Sequence, residues 1–469
     1  TMTMDPLTAL ETSTRIAAGD VGILDIVDAA LEAAHADECH AWTWIDDTGA
    51  RNTARKLQRQ LDAGQARPGP LFGVPCPVKD LNALAGAPRA VGSRAVGGTP
   101  SDHDDGIVTR LKAAGAIPIG TTAAPEFGLP CYTEPDGRAA TVTPWDHTRM
   151  AGGSSGGAAA AVGAGQVPIA QGSDGGGSIR IPASCCGVVG LKPSRGRVSA
   201  GPYGIDGPGL VCGGVLTRTV RDTAAALDVL SGPWPGDPFY APTPTETFLS
   251  ACGRDPGRLR IGILREPVIA DVQVHPDILA ALDRTAATLE SMGHVVEQTS
   301  APFGPREWDS FRCVWEVGAA AIPVLPEREE LCTPMSRWLR AGGRRRSGVE
   351  LAEALAGIQM VARQVGQHWR RFDVIVSPTL AQPPLPVGAL RDDEDPAADF
   401  DAQCRFTPWT SLWNITGCPA MSLPLHNTRI DGVELPIGIM IGGRLYDEAT
   451  LLALGCALEN TRDCERSCR

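Results

Sequence analysis

Residues 151–190 are so rich in glycine and alanine that they limit how this chain can fold. Gly152-Gly153-Ser154-Ser155-Gly156-Gly157 is followed by four alanines, and Gly175-Gly176-Gly177-Ser178 comes shortly afterwards. Glycine reaches backbone angles that other residues avoid. A helix of small residues can also approach a sheet or another helix closely. We therefore predict a short helix over residues 156–165, with glycine-rich turns before and after it.

Helical and strand patterns alternate along the rest of the chain. A helix is predicted over residues 12–34, with an inward face of Ile16, Val21, Ile23, Leu24, Val27 and Leu31. Further helices are predicted at 52–63, 276–292 and 446–458. Strands are predicted at 71–78, 115–121, 188–191, 259–265, 295–298, 373–377, 420–424 and 437–441. This alternation predicts an α/β fold with a central sheet covered by helices on both faces.

Residues 303–371 differ from this pattern because they are mainly helical and rich in Trp and Arg. We interpret them as a variable helical cap over a site. Neither an internal repeat nor a clear linker divides the 469 residues. A single domain is therefore expected.

The charge balance limits the possible partners. The formal net charge is −12 and there is no long basic run, so a nucleic-acid or anionic-membrane partner is not expected. Residues 1–15 lack the features of a secretory signal. Without 18 consecutive apolar residues, no membrane span is predicted either. A soluble, cytoplasmic protein is expected.

Fourteen cysteines are scattered along the chain. The only close sets are Cys185-Cys186 and Cys464 with Cys468, and neither has zinc-site spacing. We expect mostly buried, reduced thiols that pack as small apolar groups. No metal site is predicted.

Three segments carry residues that could take part in catalysis. Each segment has a simpler interpretation when taken alone. Lys79 ends an apolar strand, where burial would lower its pKa, although its amine could also extend to solvent. Ser154 and Ser155 precede a helix and could be N-cap residues. The glycines before Ser178 present N–H groups suited to an oxyanion. They lack the Gly-Lys-Ser/Thr ending of a phosphate-binding P-loop and do not fit a dinucleotide fingerprint.

Together, Lys79, Ser154 and Ser178 with their flanking sequences closely resemble the amidase signature family of serine hydrolases. The resemblance extends over roughly residues 5–460. It includes Pro125-Glu126-Phe127-Gly128, the run from Gly187 to Ser199, Pro436-Ile437-Gly438, Glu448 and Leu451.

The resemblance implies a role for each of these residues. Ser178 would be the nucleophile, Ser154 the bridging serine after a cis peptide bond, and Lys79 the general base. Gly175, Gly176 and Gly177, with Ser178, would supply the oxyanion N–H groups. Asp174 and Arg180 would hold the loop in place. The mechanism implied requires neither a metal nor a cofactor.

The chain departs from the family pattern at Ala158, at Gly175 (often a larger residue) and at Gly120-Thr121-Thr122-Ala123. A small-molecule amide, anilide or carbamate is the expected substrate. The candidate pocket residues are Cys131, Tyr132, Trp315, Trp409 and Trp413, because aromatic surface suits an apolar group. Two alternatives stay open: a glutaminase-type amidotransferase subunit, and a catalytically silent binding or scaffold protein on the same fold. A homodimer is also possible.

Overall fold

The computed structural model describes residues 6–205 and 207–467, and the strands within them form three sheets. In chain order the strands are β1 (Trp42–Ile45), β2 (Val78–Lys79), β3 (Gly120–Thr122), β4 (Val142–Thr143), β5 (Asp146–Met150), β6 (Ile169–Asp174), β7 (Val189–Lys192), β8 (Cys212–Thr217), β9 (Arg260–Leu264), β10 (Val295–Thr299), β11 (Val374–Pro378), β12 (Ala420–Ile430) and β13 (Val433–Gly443).

The α-helices account for most of the remaining regular structure. They are α1 (Ala9–Ala18), α2 (Ile23–His35), α3 (Asp47–Asp62), α4 (Gly106–Ala113), α5 (Gly156–Gly163), α6 (Arg180–Cys186), α7 (Val220–Leu230), α8 (Phe248–Cys252), α9 (Pro276–Ser291), α10 (Pro305–Ala321), α11 (Pro334–Arg345), α12 (Gly348–His368), α13 (Pro396–Phe406), α14 (Ser411–Thr416) and α15 (Glu448–Ser467). Short 3₁₀ helices cover Glu126–Gly128 and Pro326–Leu331.

The large sheet has the strand order β10-β9-β11-β13-β12-β7-β8-β6 among the described residues. The pairs β10–β9 and β9–β11 are parallel, and the other neighbours are antiparallel. The hairpin β12–β13 therefore lies in the middle, between β11 and β7. Helix α6 packs on β7, β12 and β13, while α7, α9 and α15 also pack on the sheet. The predicted α/β fold with a central sheet flanked by helices is confirmed, and the sheet is mixed.

Several predicted elements are wrong in detail. The strand expected over 115–121 is reduced to β3 and an isolated bridge at Ile117, α3 begins at Asp47 rather than at residue 52, and α15 extends to Ser467 rather than ending at residue 458. The helix expected over residues 12–34 is two helices, α1 and α2, because Gly19 ends the first in the left-handed conformation at φ 78°. The strand expected over 71–78 is reduced to β2 and an isolated bridge at Pro75. Pro75 and Pro77 have no N–H to donate to a ladder, so this segment cannot pair continuously.

Helices α10, α11 and α12 occupy residues 303–371, as the pattern indicated. The role of this segment as a cap and the single-domain organisation remain predictions. Among the residues described, no helix combines the length and apolarity needed to cross a bilayer.

Candidate active site

Lys79 lies at the end of β2 with its side chain completely buried (0% exposed), which excludes an amine extended to solvent. Its backbone N–H donates to Gln171 Oε1 at 3.0 Å. Its Nζ lies 2.7 Å from Ser154 Oγ and 3.1 Å from Ser173 Oγ. Burial lowers the pKa of Lys79 to about 7, against an opposing effect of the Asp174 charge. A large fraction of this amine is therefore neutral near pH 7.

Ser154 follows a cis peptide bond, Gly153–Ser154. It directly precedes Ser155, the N-cap residue of α5, whose side chain makes no capping hydrogen bond. The Ser155 hydroxyl instead donates to Ser173 O at 3.2 Å, and its N–H donates to Ser178 O at 3.0 Å. Ser155 is therefore an N-cap residue by position, as one interpretation of the sequence expected, but its hydroxyl does not cap the helix. The segment of the two serines lies against the one that carries Ser178.

The loop that carries Ser178 turns around the carboxylate of Asp174, the last residue of β6. Asp174 Oδ1 accepts the Gly177 N–H at 2.9 Å, and Oδ2 accepts the Ile179 N–H at 3.1 Å. Arg180 donates to both oxygens, each at 2.9 Å, and neither side chain of this ion pair is exposed. Burial alone would raise the pKa of Asp174, but the Arg180 charge and the Asn414 amide hold it well below its usual range. Asp174 and Arg180 thus hold the loop as expected.

Two residues that the sequence did not single out complete this loop. Asn414 on α14 donates to Asp174 O at 3.1 Å and to Asp174 Oδ1 at 2.9 Å. Thr410 Oγ1 donates to Gly176 O at 2.7 Å, and the Thr410 carbonyl accepts from Arg180 at 2.8 Å. Both lie more than 200 positions from the loop, so no local pattern indicates their role.

The N–H groups of the loop are not equivalent. Gly177 uses its N–H for Asp174, whereas those of Gly175, Gly176 and Ser178 have no hydrogen-bond partner within the described residues. The resemblance implied that Gly177 would supply an N–H group to the oxyanion. In the structure this N–H already donates to Asp174.

A cavity opens beside Ser178, whose side chain is largely buried (8% exposed). Its wall is mainly aromatic and aliphatic, including Trp308, Phe311, Trp315, Phe400, Leu129 and Ile181. Among the described residues that line it, none is a lysine or an arginine. The cavity therefore suits an apolar, uncharged group.

Two of the five candidate pocket residues, Cys131 and Trp315, line this cavity, and three do not. Trp409 is fully buried in the core, with its indole N–H donating to Glu266 O at 2.8 Å. Trp413 is also buried and stacks on Trp369 at 5.8 Å between ring centroids. Tyr132 directs its hydroxyl to Asp399 Oδ2 at 2.6 Å. Packing engages all three side chains, and Tyr132 and Trp409 also donate internal hydrogen bonds, so none of the three lines this cavity.

Comparisons of the sequence and of the structure with known proteins agree on one family. A family model described as amidase matches residues 25–452. The 6-aminohexanoate-cyclic-dimer hydrolase of Paenarthrobacter ureafaciens is 34% identical over an alignment of 414 positions, and the match covers 83% of each chain. A solved structure of 6-aminohexanoate cyclic dimer hydrolase is 30% identical with a TM-score of 0.88, covering 97% of this chain and 96% of that one.

A second solved structure, of a bacterial aryl acylamidase of the amidase signature family, is 26% identical with a TM-score of 0.86. The match covers 97% of this chain and 96% of that structure. With the family model matching nearly the whole chain, the protein belongs to the amidase signature family and is a hydrolase of C–N amide bonds.

Proposed function

We propose that this protein cleaves its substrate through an acyl-enzyme on Ser178, with Ser154 as the bridging residue and Lys79 as the general base. The observation that carries the proposal is the buried contact of 2.7 Å between Lys79 Nζ and Ser154 Oγ, together with a lysine pKa of about 7. A neutral amine can accept a proton, and this environment keeps much of the amine neutral.

In the first half-reaction a proton is first transferred along the relay toward Lys79, and one is then returned from Lys79 toward the leaving nitrogen. As Ser178 Oγ bonds to the substrate carbonyl carbon, its proton passes to Ser154 Oγ, while the Ser154 proton passes to Lys79 Nζ. When the tetrahedral intermediate collapses, the C–N bond breaks and the proton returns through Ser154 to the leaving nitrogen. The amine departs, and an ester to Ser178 remains.

Water completes the cycle along the same relay. It attacks the ester carbonyl while Ser154 and Lys79 take its proton, and the proton then returns to Ser178 Oγ as the acid leaves. Every proton transfer has a donor and an acceptor among these three residues, the substrate and the attacking water.

The developing oxyanion needs preorganised N–H donors. We assign this role to Gly175, Gly176 and Ser178, because their N–H groups are unpaired in the described chain. Gly177 supports the loop instead, through its hydrogen bond to Asp174.

The wall of the cavity favours an uncharged amide, anilide or carbamate over glutamine. The polar side chains in the wall already have partners: Gln403 Nε2 donates to Asp399 at 2.7 Å, and Ser411 Oγ accepts from Trp308 at 2.9 Å. A glutaminase must hold the charged α-carboxylate of glutamine. No lining residue among those described supplies a cation for it, so the amidotransferase alternative is disfavoured.

A fluorophosphonate probe tests the proposal directly. Purified protein is labelled, digested and analysed by peptide mass spectrometry beside the Ser178→Ala variant. We expect one adduct, on Ser178, and loss of amide hydrolysis in the variant. The matched control is Ser155→Ala, which removes the neighbouring hydroxyl but leaves the relay intact.

The outcomes separate the alternatives. An adduct on a different serine would refute the assignment of the nucleophile. Absence of both labelling and turnover in a folded protein would support a silent scaffold. Turnover of glutamine in preference to aryl amides and carbamates would instead support the glutaminase alternative.

A further inference from the structure

Three aromatic side chains of α10 form a continuous stack beside Ser178. Trp308, Phe311 and Trp315 are spaced by three and four positions, which places them on one face of the helix. The ring centroids of Trp308 and Phe311 are 5.4 Å apart at 24°, and those of Phe311 and Trp315 are 5.4 Å apart at 19°. All three line the cavity that contains Ser178.

The stack is held in position by groups outside it. The indole N–H of Trp308 donates to Ser411 Oγ at 2.9 Å. Phe400 of α13 packs against Trp308 with centroids 6.1 Å apart. The guanidinium of Arg312 lies 5.5 Å from the rings of both Phe400 and Trp338. These contacts fix the aromatic wall before any substrate enters.

The same stack also touches the loop that carries the unpaired N–H groups. A Cβ atom at Gly175 would lie 3.3 Å from Trp315 Cζ3 and 3.1 Å from Val211 Cγ2. A Cβ atom at Gly176 would lie 3.5 Å from Phe311 Cζ. The indole of Trp315 therefore fills the space into which a larger residue at position 175 would extend, which accounts for the glycine there.

Resting on the assignment of Ser178 as nucleophile, we propose that this stack binds a planar aromatic group of the substrate and that Trp315 is the residue that determines this specificity. Aromatic rings favour offset or edge contacts with one another at these separations. The lining polar side chains Gln403 and Ser411 are engaged internally, so an uncharged ring suits the cavity. The ring can belong to the acyl half or to the amine half of the substrate.

Matched substrate pairs test the proposal and locate the ring. The acyl arm compares the benzoyl and cyclohexanecarbonyl amides of para-nitroaniline. The amine arm compares N-acetylaniline with N-acetylcyclohexylamine. In each arm the quantity measured is the ratio of kcat/KM for the planar ring to that for the saturated ring. The variants are Trp315→Leu and Phe311→Leu, with Trp234→Leu as the control because Trp234 packs against Arg110 instead.

Each wild-type ratio includes the intrinsic reactivity of the amide, since aniline is a better leaving group than cyclohexylamine, so the variants are used to measure the preference for the planar ring that the cavity itself contributes in one arm. Trp315→Leu should reduce that preference by about 3- to 10-fold, the size expected for a lost aromatic pair. Trp234→Leu should leave the ratio unchanged. The arm in which the preference falls identifies the half of the substrate that carries the ring.

Phenylboronic and cyclohexylboronic acids provide a second readout that requires no turnover, because they add to a nucleophilic serine. Tighter binding of the phenyl compound, weakened by Trp315→Leu, supports the proposal. Equal binding of the two compounds in wild type, or a ratio that Trp315→Leu and Phe311→Leu both leave unchanged, overturns it. Fluorophosphonate labelling of Ser178 in the same samples shows whether the nucleophile assignment itself has failed.

Discussion

At the scale of single residues, the protonation of Lys79 should control the rate. With a pKa of about 7, the amine loses its proton as the pH rises through neutrality, and only the neutral form can accept one. We predict that kcat/KM and the rate of fluorophosphonate labelling increase with pH through an apparent pKa near this value. The pH profile of labelling measures this without reference to a substrate.

Lys79→Met provides the comparison. Loss of the proposed general base should lower the labelling rate by about 10²- to 10⁴-fold and abolish the rise near neutrality. A variant that retained the wild-type profile would show that another group is titrating.

The glycines of the loop should differ sharply in their tolerance of a methyl group. Gly177 has φ 137°, and a Cβ there would lie 2.6 Å from Thr410 Oγ1. We predict that Gly177→Ala reduces kcat at least about 10²-fold because the loop and its donors must shift. Gly176→Ala, which meets only Phe311 at ordinary contact distance, should retain most activity. Similar losses in both variants would contradict this distinction.

The three residues proposed to react could be singled out from the sequence because short motifs surround them, whereas the residues that support the loop could not. Lys79, Ser154 and Ser178 lie in distinctive sequences, but Asn414 and Thr410 reach the loop only through the tertiary fold. Residue type also indicates what a tryptophan can contact without indicating which way it faces. For this reason the sequence could not distinguish Trp315, which lines the cavity, from Trp409, which lies in the core.

At the scale of secondary-structure elements, Glu126 joins the segment beside Ser154 to helix α11. Its Oε2 accepts the N–H and the hydroxyl of Thr333, both at 2.7 Å, and Thr333 is the N-cap of α11. Its Oε1 accepts the Ser93 hydroxyl at 2.6 Å. This buried carboxylate thus links three separate segments.

We predict that Glu126→Gln lowers the free energy of unfolding by about 1–3 kcal/mol, because an amide cannot accept from all three donors. Denaturant melts monitored by circular dichroism measure the loss. Glu330→Gln is the control, since Glu330 is highly exposed in its pair with Arg337 and should change stability by less than about 0.5 kcal/mol. Equal stabilities of the two variants would show that the Glu126 carboxylate does not stabilise the fold by linking these segments.

Periodicity predicted the elements whose burial repeats regularly, such as α9 and β9, nearly to the residue. It failed where one residue changes the backbone locally. Gly19 separates two helices that share one apolar pattern, and Pro75 and Pro77 interrupt an apolar run that otherwise looks like a strand. Strand β6 escaped prediction because glycine and polar residues obscure its pattern, although it carries Asp174.

At the scale of the whole molecule, the cysteines should be protected by the fold. Ten of the described thiols are buried, while Cys404 and Cys418 are partly exposed, and all twelve are free. Burial raises the pKa of such thiols, for example that of Cys76 to about 12, so little thiolate is present. Buried, reduced thiols were expected from the sequence and are confirmed for this set.

We predict that the ten buried thiols react with a disulfide reagent at least about tenfold more slowly in the native protein than in guanidinium chloride. The experiment uses Cys464→Ser/Cys468→Ser protein, because the side chains at those positions lie outside the described residues. Stopped-flow absorbance counts the fast and slow thiols. Rapid reaction of all the thiols in native protein would show that the core opens readily.

The central position of the β12–β13 hairpin has a consequence for how the chain is made. A ribosome finishes β6 to β8 and β9 to β11 before it reaches residue 420. Any part of the sheet that forms before the hairpin is made would therefore have open edges at β7 and β11. Open strand edges pair readily with other chains. A premature stop codon upstream of the hairpin should therefore yield insoluble protein rather than a weakened enzyme. The newly made chain needs strands β12 and β13 to pair with the open edges of β7 and β11.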